Sequence, residues 1–386
     1  MKRAEKGENM RIQNGILLTM EGERFENGYV DFENGKITGF GDCKDAPAYG
    51  GEVLDAQGGY ILPGLIDAHT HIGIGEEGLR WEGIDYNEIT DPVTPQLRAM
   101  DGFNPFDPAI EKAAAGGVTT AGVSPGSANV VGGQIAAIKL HGNDVSKMVL
   151  KAPAAMKFAL GENPKNCYGN HDKAPKTRMM SAYLMREALE KAKRYMAKKE
   201  KGEDVYDAQC EALIPVLKRE IPMHVHSHRA DDILTAVRIA TEFNCRFCIV
   251  HATRSERIAD VLAGYDFIPI VGPSLGPASK PETMDVSFAT AGVLRAKGMT
   301  PAITTDHDVQ PLWLLPMFAA MCVREGMAEE DALKAITIVP AKALGVEDRV
   351  GSIAVGKDAD IAVFTGHPFH YLTKTSAVFI DGERIK

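Results

Sequence analysis

Apolar positions alternate, or run on briefly between turn signals, through the first 60 residues of the chain. GILLTM, YVDFENGKITGF and EVLDAQGGYIL read as strands, and Asn34-Gly35 falls between two of them as a tight hairpin turn. The same style returns at the other end in DRVGSIAVGKDADIAVF and AVFIDGERI, with Asp381-Gly382 as a second hairpin turn. Neither all-β segment can enclose a core alone. Because the termini of a domain often lie close together, residues 1–62 and 349–386 are expected to combine into one small β-sandwich domain.

Between these ends the period changes. Short apolar runs at 64–69, 117–123, 154–160, 222–226, 246–250, 266–271 and 301–305 read as strands. Helical stretches lie between many of them, at 107–115, 179–200, 229–242, 255–263 and 328–337. The stretch 134–140 supplies either an eighth strand or a hairpin arm. Alternating strands and helices over 63–348 predict an α/β fold, a (β/α)₈ barrel of the TIM type, in preference to an open sheet. The phosphate fingerprint of a doubly wound sheet, G-x-G-x-x-G between a strand and a helix, is missing. The basic amphipathic segment 179–201 reads as an outer helix with a solvated Lys/Arg face.

Composition narrows the classes without choosing among enzymes. The chain is 45% hydrophobic and 25% charged, enough apolar material for a sizeable core. A net charge of -9 argues against a nucleic-acid binder, which needs a basic face. No apolar run reaches membrane-spanning length, so no membrane partner is expected. MKRAEKGENM carries positive charge with no apolar stretch behind it, so it reads as a polar lead-in and not as a signal peptide. Six scattered cysteines are unlike a disulfide-stapled scaffold and favour the cytoplasm. Cys245 and Cys248 form a C-x-x-C with no second pair nearby, and read as buried, inert thiols.

Chemistry concentrates at strand ends. His69 and His71 follow ILPGLIDA, and alternation places both imidazoles on one side, where they can reach one ion. Imidazole suits a borderline divalent metal such as zinc. PMHVHSH offers His224, His226 and His228 on one face. His224 would lie deepest, His226 is the expected ligand, and His228 is a reserve or a substrate contact. His251 ends the strand in RFCIVHAT, and Asp306 ends the one in PAITTDHD. A lone histidine at a strand end is usually structural, but H-x-H, His, His and Asp at four strand ends read together as a metal site at the barrel mouth. Two glycine-rich loops on the same face, 123–134 and 271–280, offer Ser124, Ser127 and Ser274 to a polar substrate group, as do His171 and Arg178 after 162.

PGLIDAHTH, VHSH, IVHAT and ITTD resemble the amidohydrolase superfamily, and ITIVPAKALGVEDRVGSIAVGKDADIAVF is similar to the tail of its imidazolonepropionase-like branch. The resemblance covers residues 15–385. It implies metal-ligand roles for His69, His71, His226 and His251, with Asp306 as ligand and proton-handling carboxylate, and one or two divalent ions per chain, zinc foremost. It also implies a further ligand from an earlier strand, either a carboxylated lysine or a glutamate. MKFALGEN offers Lys157 and Glu162, which lie roughly 16 Å apart along an extended strand. If the strand ends near Gly161, Glu162 stands at the metal level and Lys157 deep in the barrel, so Glu162 is the expected ligand. The implied activity is hydrolysis of a C–N bond in a small molecule, such as a cyclic amide. Ring deamination, N-acyl deacetylation, dipeptide cleavage and a barrel without chemistry are the alternatives. Homo-oligomerisation is left open.

Overall fold

The computed structural model describes residues 9–386, so most of the polar lead-in lies outside the described residues. The N-terminal segment forms β1 (Met10–Leu18), β2 (Arg24–Glu33), β3 (Lys36–Asp42), β4 (Glu52–Asp55) and β5 (Tyr60–Pro63). Eight strands follow: β6 (Leu65–Thr70), β7 (Val118–Val123), β8 (Val131–Lys139), β9 (Val149–Ala159), β10 (Met223–Ser227), β11 (Phe247–His251), β12 (Ile268–Val271) and β13 (Ala302–Ile303). The C-terminal segment adds β14 (Ile361–Phe364), β15 (Thr375–Ile380) and β16 (Glu383–Arg384).

The two chain ends meet in one eight-stranded sheet, joined where β14 pairs antiparallel with β5. Its inward residues, among them Ile12, Val30, Phe32, Ile61, Ile361 and Phe379, form a core separate from that of the barrel. Both expected hairpin turns are present. Asn34 and Gly35 have φ of 51° and 78°, and Asp381 and Gly382 have 50° and 75°. Two consecutive left-handed residues are what a two-residue hairpin needs, and Asn-Gly or Asp-Gly adopts them with little strain.

Strands β6 to β13 stand side by side in chain order. Helices such as Pro108–Ala115, Arg178–Glu200 and Ala230–Glu242 lie between them. Helix Arg178–Glu200 buries Met185, Leu189 and Tyr195 and leaves its Lys/Arg face to solvent. The barrel departs from strict β/α alternation at one place, because β8 runs antiparallel to both β7 and β9. The 134–140 stretch is thus a barrel strand and a hairpin arm at once. Its flanking links, 124–130 and 140–148, are shorter than the roughly dozen residues that a parallel crossover needs. The sheet nearly closes where the end of β13 meets β6: Thr304 Oγ1 donates to the His69 carbonyl at 2.7 Å, and the Thr305 N–H to Asp67 Oδ2 at 2.8 Å.

A buried charge network ties the barrel to the terminal sheet. Lys139, at the end of β8, lies 2.7 Å from Asp358 and 3.0 Å from Asp360, and also pairs with Asp381. Arg349 and Lys36 share Asp358, each at 2.6 Å. Burial pushes the Asp360 carboxyl up to about 6 even beside Lys139. Removing the cation leaves the buried Asp360 carboxyl without its counter-charge, while Asp358 keeps Arg349 and Lys36, so K139M should cost about 3–5 kcal/mol, the range for breaking a buried pair by deleting one partner. Urea titration checks this, and a midpoint matching that of the wild type would mean that the network contributes little.

Candidate metal centre

Strand ends aim the site residues. On β6, Asp67 and His69 share a face with His71 just beyond the strand. Asp67 braces this corner by accepting the His69 N–H at 3.1 Å and the Thr305 hydroxyl at 3.0 Å. Complete burial pushes its carboxyl up to about 7. On β10, His224 Nε2–H donates to the Ala343 carbonyl at 3.0 Å, while His226 and the following His228 reach the mouth. His251, the last residue of β11, has φ of 73°, and Asp306, beyond β13, has 53°. Left-handed backbone at a non-glycine residue is uncommon, and here it turns two side chains inward as their strands end.

Two groups result. Donor atoms of His69, His71 and Asp306 lie within 4.8 Å of one another, and so do those of His226, His228 and His251. Asp306 Oδ1 is 3.3 Å from His69 Nε2 and 3.5 Å from His71 Nε2. The groups adjoin, with the His69 and His251 rings 5.6 Å apart. His226 and His228 thus stand together in one group, so neither replaces the other.

Three of the remaining ring nitrogens have partners, whereas His69 Nδ1 is buried without one among the described residues. His71 Nδ1 meets Ser124 O and His251 Nδ1 meets Gly272 O, both at 2.7 Å, and His228 Nδ1 meets Thr253 Oγ1 at 2.7 Å. An Nδ1–H donated to a carbonyl leaves Nε2 as a bare lone pair, the tautomer that binds a metal. Burial drives the imidazole pKa values down, well below ordinary for His69, His226 and His228 and to about 4 for His251, so these rings are neutral at pH 7. Burial works against the Asp306 carboxylate, but in acid, where the rings take up protons, the imidazoles of His251, His69 and His71 outweigh it and hold the group below the carboxylate range. Asp306 Oδ1 is nevertheless buried without a hydrogen-bond partner among the described residues. Neutral imidazoles around an unpaired carboxylate oxygen fit a divalent cation, which satisfies all of them at once.

The expected levels of Lys157 and Glu162 are reversed. Lys157 is fully buried, with Nζ 3.1 Å from His69 Nε2 and no carboxylate within 4.0 Å among the described residues. Its Cα is in register with His224, deep as expected, but its four-carbon stem carries Nζ up to the cluster. Gly132 on neighbouring β8 makes room, since a β-carbon there would stand 3.2 Å from Lys157 Cγ. Burial lowers the ammonium to about 7. Strand β9 ends at Ala159, and Gly161, with φ of 87°, turns the chain so that Glu162 begins helix Glu162–Gly169. The Glu162 carboxylate there accepts from Asn166 Nδ2 at 3.3 Å and belongs to neither group.

Of the weaker candidates only His228 joins the cluster. His171 is exposed with Nδ1 on Cys167 O, Arg178 is paired with Asp232, and Ser274 donates to Ser287 O. Cys245 and Cys248 are free and buried, with thiols pushed up to about 11 and about 12 by burial. The sequence reading missed Tyr86, stacked 4.7 Å from the His71 ring, and Asn163, whose Nδ2 is 3.4 Å from His226 Nε2. It also missed Lys280 and Glu282, which hang over His226 and His228 from the loop after β12. No spacing rule marks such loop residues.

Among known proteins, the sequence pattern of the amidohydrolase family matches residues 60–385. The chain is 30% identical over 363 residues to the amidohydrolase tasK of Hapsidospora irregularis, which covers 86% of this chain and 37% of that protein. It thus spans little more than a third of that relative's length. Against the imidazolonepropionase of Sphingopyxis alaskensis it is 26% identical over 387 residues, 92% of this chain and 91% of the other. A crystal structure of an amidohydrolase from Thermotoga maritima superposes with a TM-score of 0.94 at 43% identity, covering 98% of this chain and 99% of that one.

Proposed function

This chain belongs to the amidohydrolase family, and on that premise we propose that it is a metal-dependent hydrolase cleaving a C–N bond of a small molecule, a cyclic amide or a related compound. The observation that carries the reading is the pair of adjoining donor groups, His69, His71 and Asp306 beside His226, His228 and His251, with Lys157 Nζ against His69. Imidazole-rich donors of this kind favour zinc among the available divalent ions, one or two per chain. The six free cysteines suit a reducing cytoplasm.

Ions held here would supply Lewis-acid polarisation of the scissile group and lower the pKa of water towards about 7. The protein's part is to hold the donors neutral and to move protons. Asp306 takes the proton from the attacking water at Oδ1 and returns it to the leaving nitrogen, a general-base step followed by a general-acid step. Lys157 replaces Glu162 as the further ligand. As a neutral amine, Nζ adds to carbon dioxide and forms a carbamate, releasing one proton and gaining anionic oxygens where the buried ammonium has no counter-charge. Asp67 fixes the His69 backbone, and the Nδ1 partners of His71 and His251 keep those rings oriented.

Deamination of a ring, deacetylation and dipeptide cleavage use the same attack on a carbon bonded to nitrogen, and loop residues choose among them. The test is metal analysis of folded protein followed by a turnover screen against cyclic amides, N-acyl amino acids, dipeptides and aminated rings. One or two tightly bound divalent ions per chain and turnover of one class are expected. Folded protein that binds no ion and turns over none of them would favour a barrel without chemistry.

A further inference from the structure

The loop between β12 and β13 places a carboxylate where the metal reading needs no further residue. Glu282 lies in a single 3₁₀ turn, Pro281–Thr283, and its side chain is 1% exposed. One oxygen is committed, because Oε2 accepts the Glu162 N–H at 2.9 Å. The other, Oε1, is buried without a hydrogen-bond partner. It stands 3.7 Å from His226 Nε2 and 3.9 Å from His228 Nε2. Lys280 Nζ forms an ion pair with the same oxygen at 2.8 Å and also donates to Asn163 Oδ1 at 2.6 Å.

Those separations have a meaning. Nitrogen and oxygen donors about 2.0–2.2 Å from one tetrahedral ion lie about 3.4 Å from each other. The Asp306 oxygen sits 3.3 and 3.5 Å from the two nitrogens of its own group. Glu282 Oε1 stands in a similar, slightly longer relation to His226 and His228 of the second group. We propose that Glu282 is a further metal ligand, the carboxylate donor that completes an ion site made by His226, His228 and His251. This rests on the metal-dependent reading above and goes beyond it by assigning a donor outside the barrel strands.

A donor on a loop has consequences that a strand donor lacks. With Glu282 seated, three imidazoles and one carboxylate make a closed tetrahedral set, the arrangement of a retained ion. The loop from Gly272 to Lys280 has left-handed glycines at 272 and 276 and exposed residues at 275–279, so seating of Glu282 depends on a segment with little burial of its own. Ion retention in the second group is therefore tied to the position of this loop, while the first group does not depend on it.

The experiment compares wild type, E282Q and E282D, each stripped and reloaded with Co²⁺. Cobalt per chain, the rate of its removal by a chelator and the visible absorption of the bound ion are recorded. Wild type is expected to hold an ion that E282Q loses or releases at least ~10-fold faster, with an altered spectrum as an oxygen donor leaves. E282D, which keeps the charge but shortens the reach, should fall between them and also serves if E282Q does not fold. A merely structural anchor would lower the melting temperature of metal-free and loaded protein alike; a ligand diminishes the stabilisation gained on loading. Unchanged cobalt content, release rate and spectrum in the folded variants overturn the assignment and leave the hydrolase reading standing. Wild type that binds no Co²⁺ overturns both.

Discussion

Asp306→Asn should abolish nearly all turnover while the protein stays folded. Asparagine matches aspartate in shape and tolerates a left-handed backbone better than most residues, so the φ of 53° at this position is no obstacle to it. What disappears is the basic oxygen that faces His69 and His71 at 3.3 and 3.5 Å. An amide cannot take a proton from water near neutral pH and return it to a leaving nitrogen. Positioned acid–base groups are typically worth 10²- to 10⁴-fold, so kcat should fall by about that much or more. Loss of a carboxylate donor also weakens ion binding, and the two effects are separable. With the variant saturated in Zn²⁺ and its ion content measured, the remaining deficit in kcat belongs to proton transfer. A saturated variant within about tenfold of wild-type kcat would remove Asp306 from that role.

The sequence was informative where chemistry and periodicity coincide. Asn34-Gly35 and Asp381-Gly382 announce hairpins because few other pairs accept two left-handed residues in succession. His69, His71, His226, His251 and Asp306 were readable because a barrel presents its chemistry at strand ends, and apolar runs show where strands end. The direction of β8 was not readable, since an apolar run carries no polarity and only the length of its links hints at a hairpin. The ordering of Lys157 and Glu162 went wrong for a specific reason. Rise along a strand locates Cα atoms, whereas the position of a donor depends on its side-chain tip, and lysine's long stem lifts its nitrogen from the His224 level to His69. Gly161 then diverts the chain just before Glu162. Glu282, Lys280 and Tyr86 come from loops, where proximity to the site is set by tertiary folding and leaves no local pattern.

Lys157→Met should separate the stability of the barrel from its chemistry. The substitution keeps most of the stem and deletes a fully buried ammonium that has no carboxylate within 4.0 Å among the described residues. In the metal-free protein, stability should therefore hold or rise, since an apolar isostere is commonly better than an uncompensated buried charge. The pH dependence gives the sign of that effect. Burial lowers the Lys157 ammonium from 10.5 to about 7, so between those values the unfolded chain binds a proton that the folded chain does not. Folding stability of the metal-free wild type then rises with pH across that window, and the penalty is fully present below about 7. This component of the slope should vanish in the variant. Metal-loaded protein should behave in the opposite way. Without Nζ no carbamate forms and the site loses that ligand beside His69, so ion content should drop and kcat should fall by at least about 10², the scale of losing a positioned catalytic group. Glu162→Gln supplies the contrast, because its carboxylate contacts Asn166 and neither donor group, and both ion content and kcat should stay near wild type. If instead Glu162→Gln empties the site and Lys157→Met leaves it intact, the further ligand is the glutamate and the carbamate assignment fails.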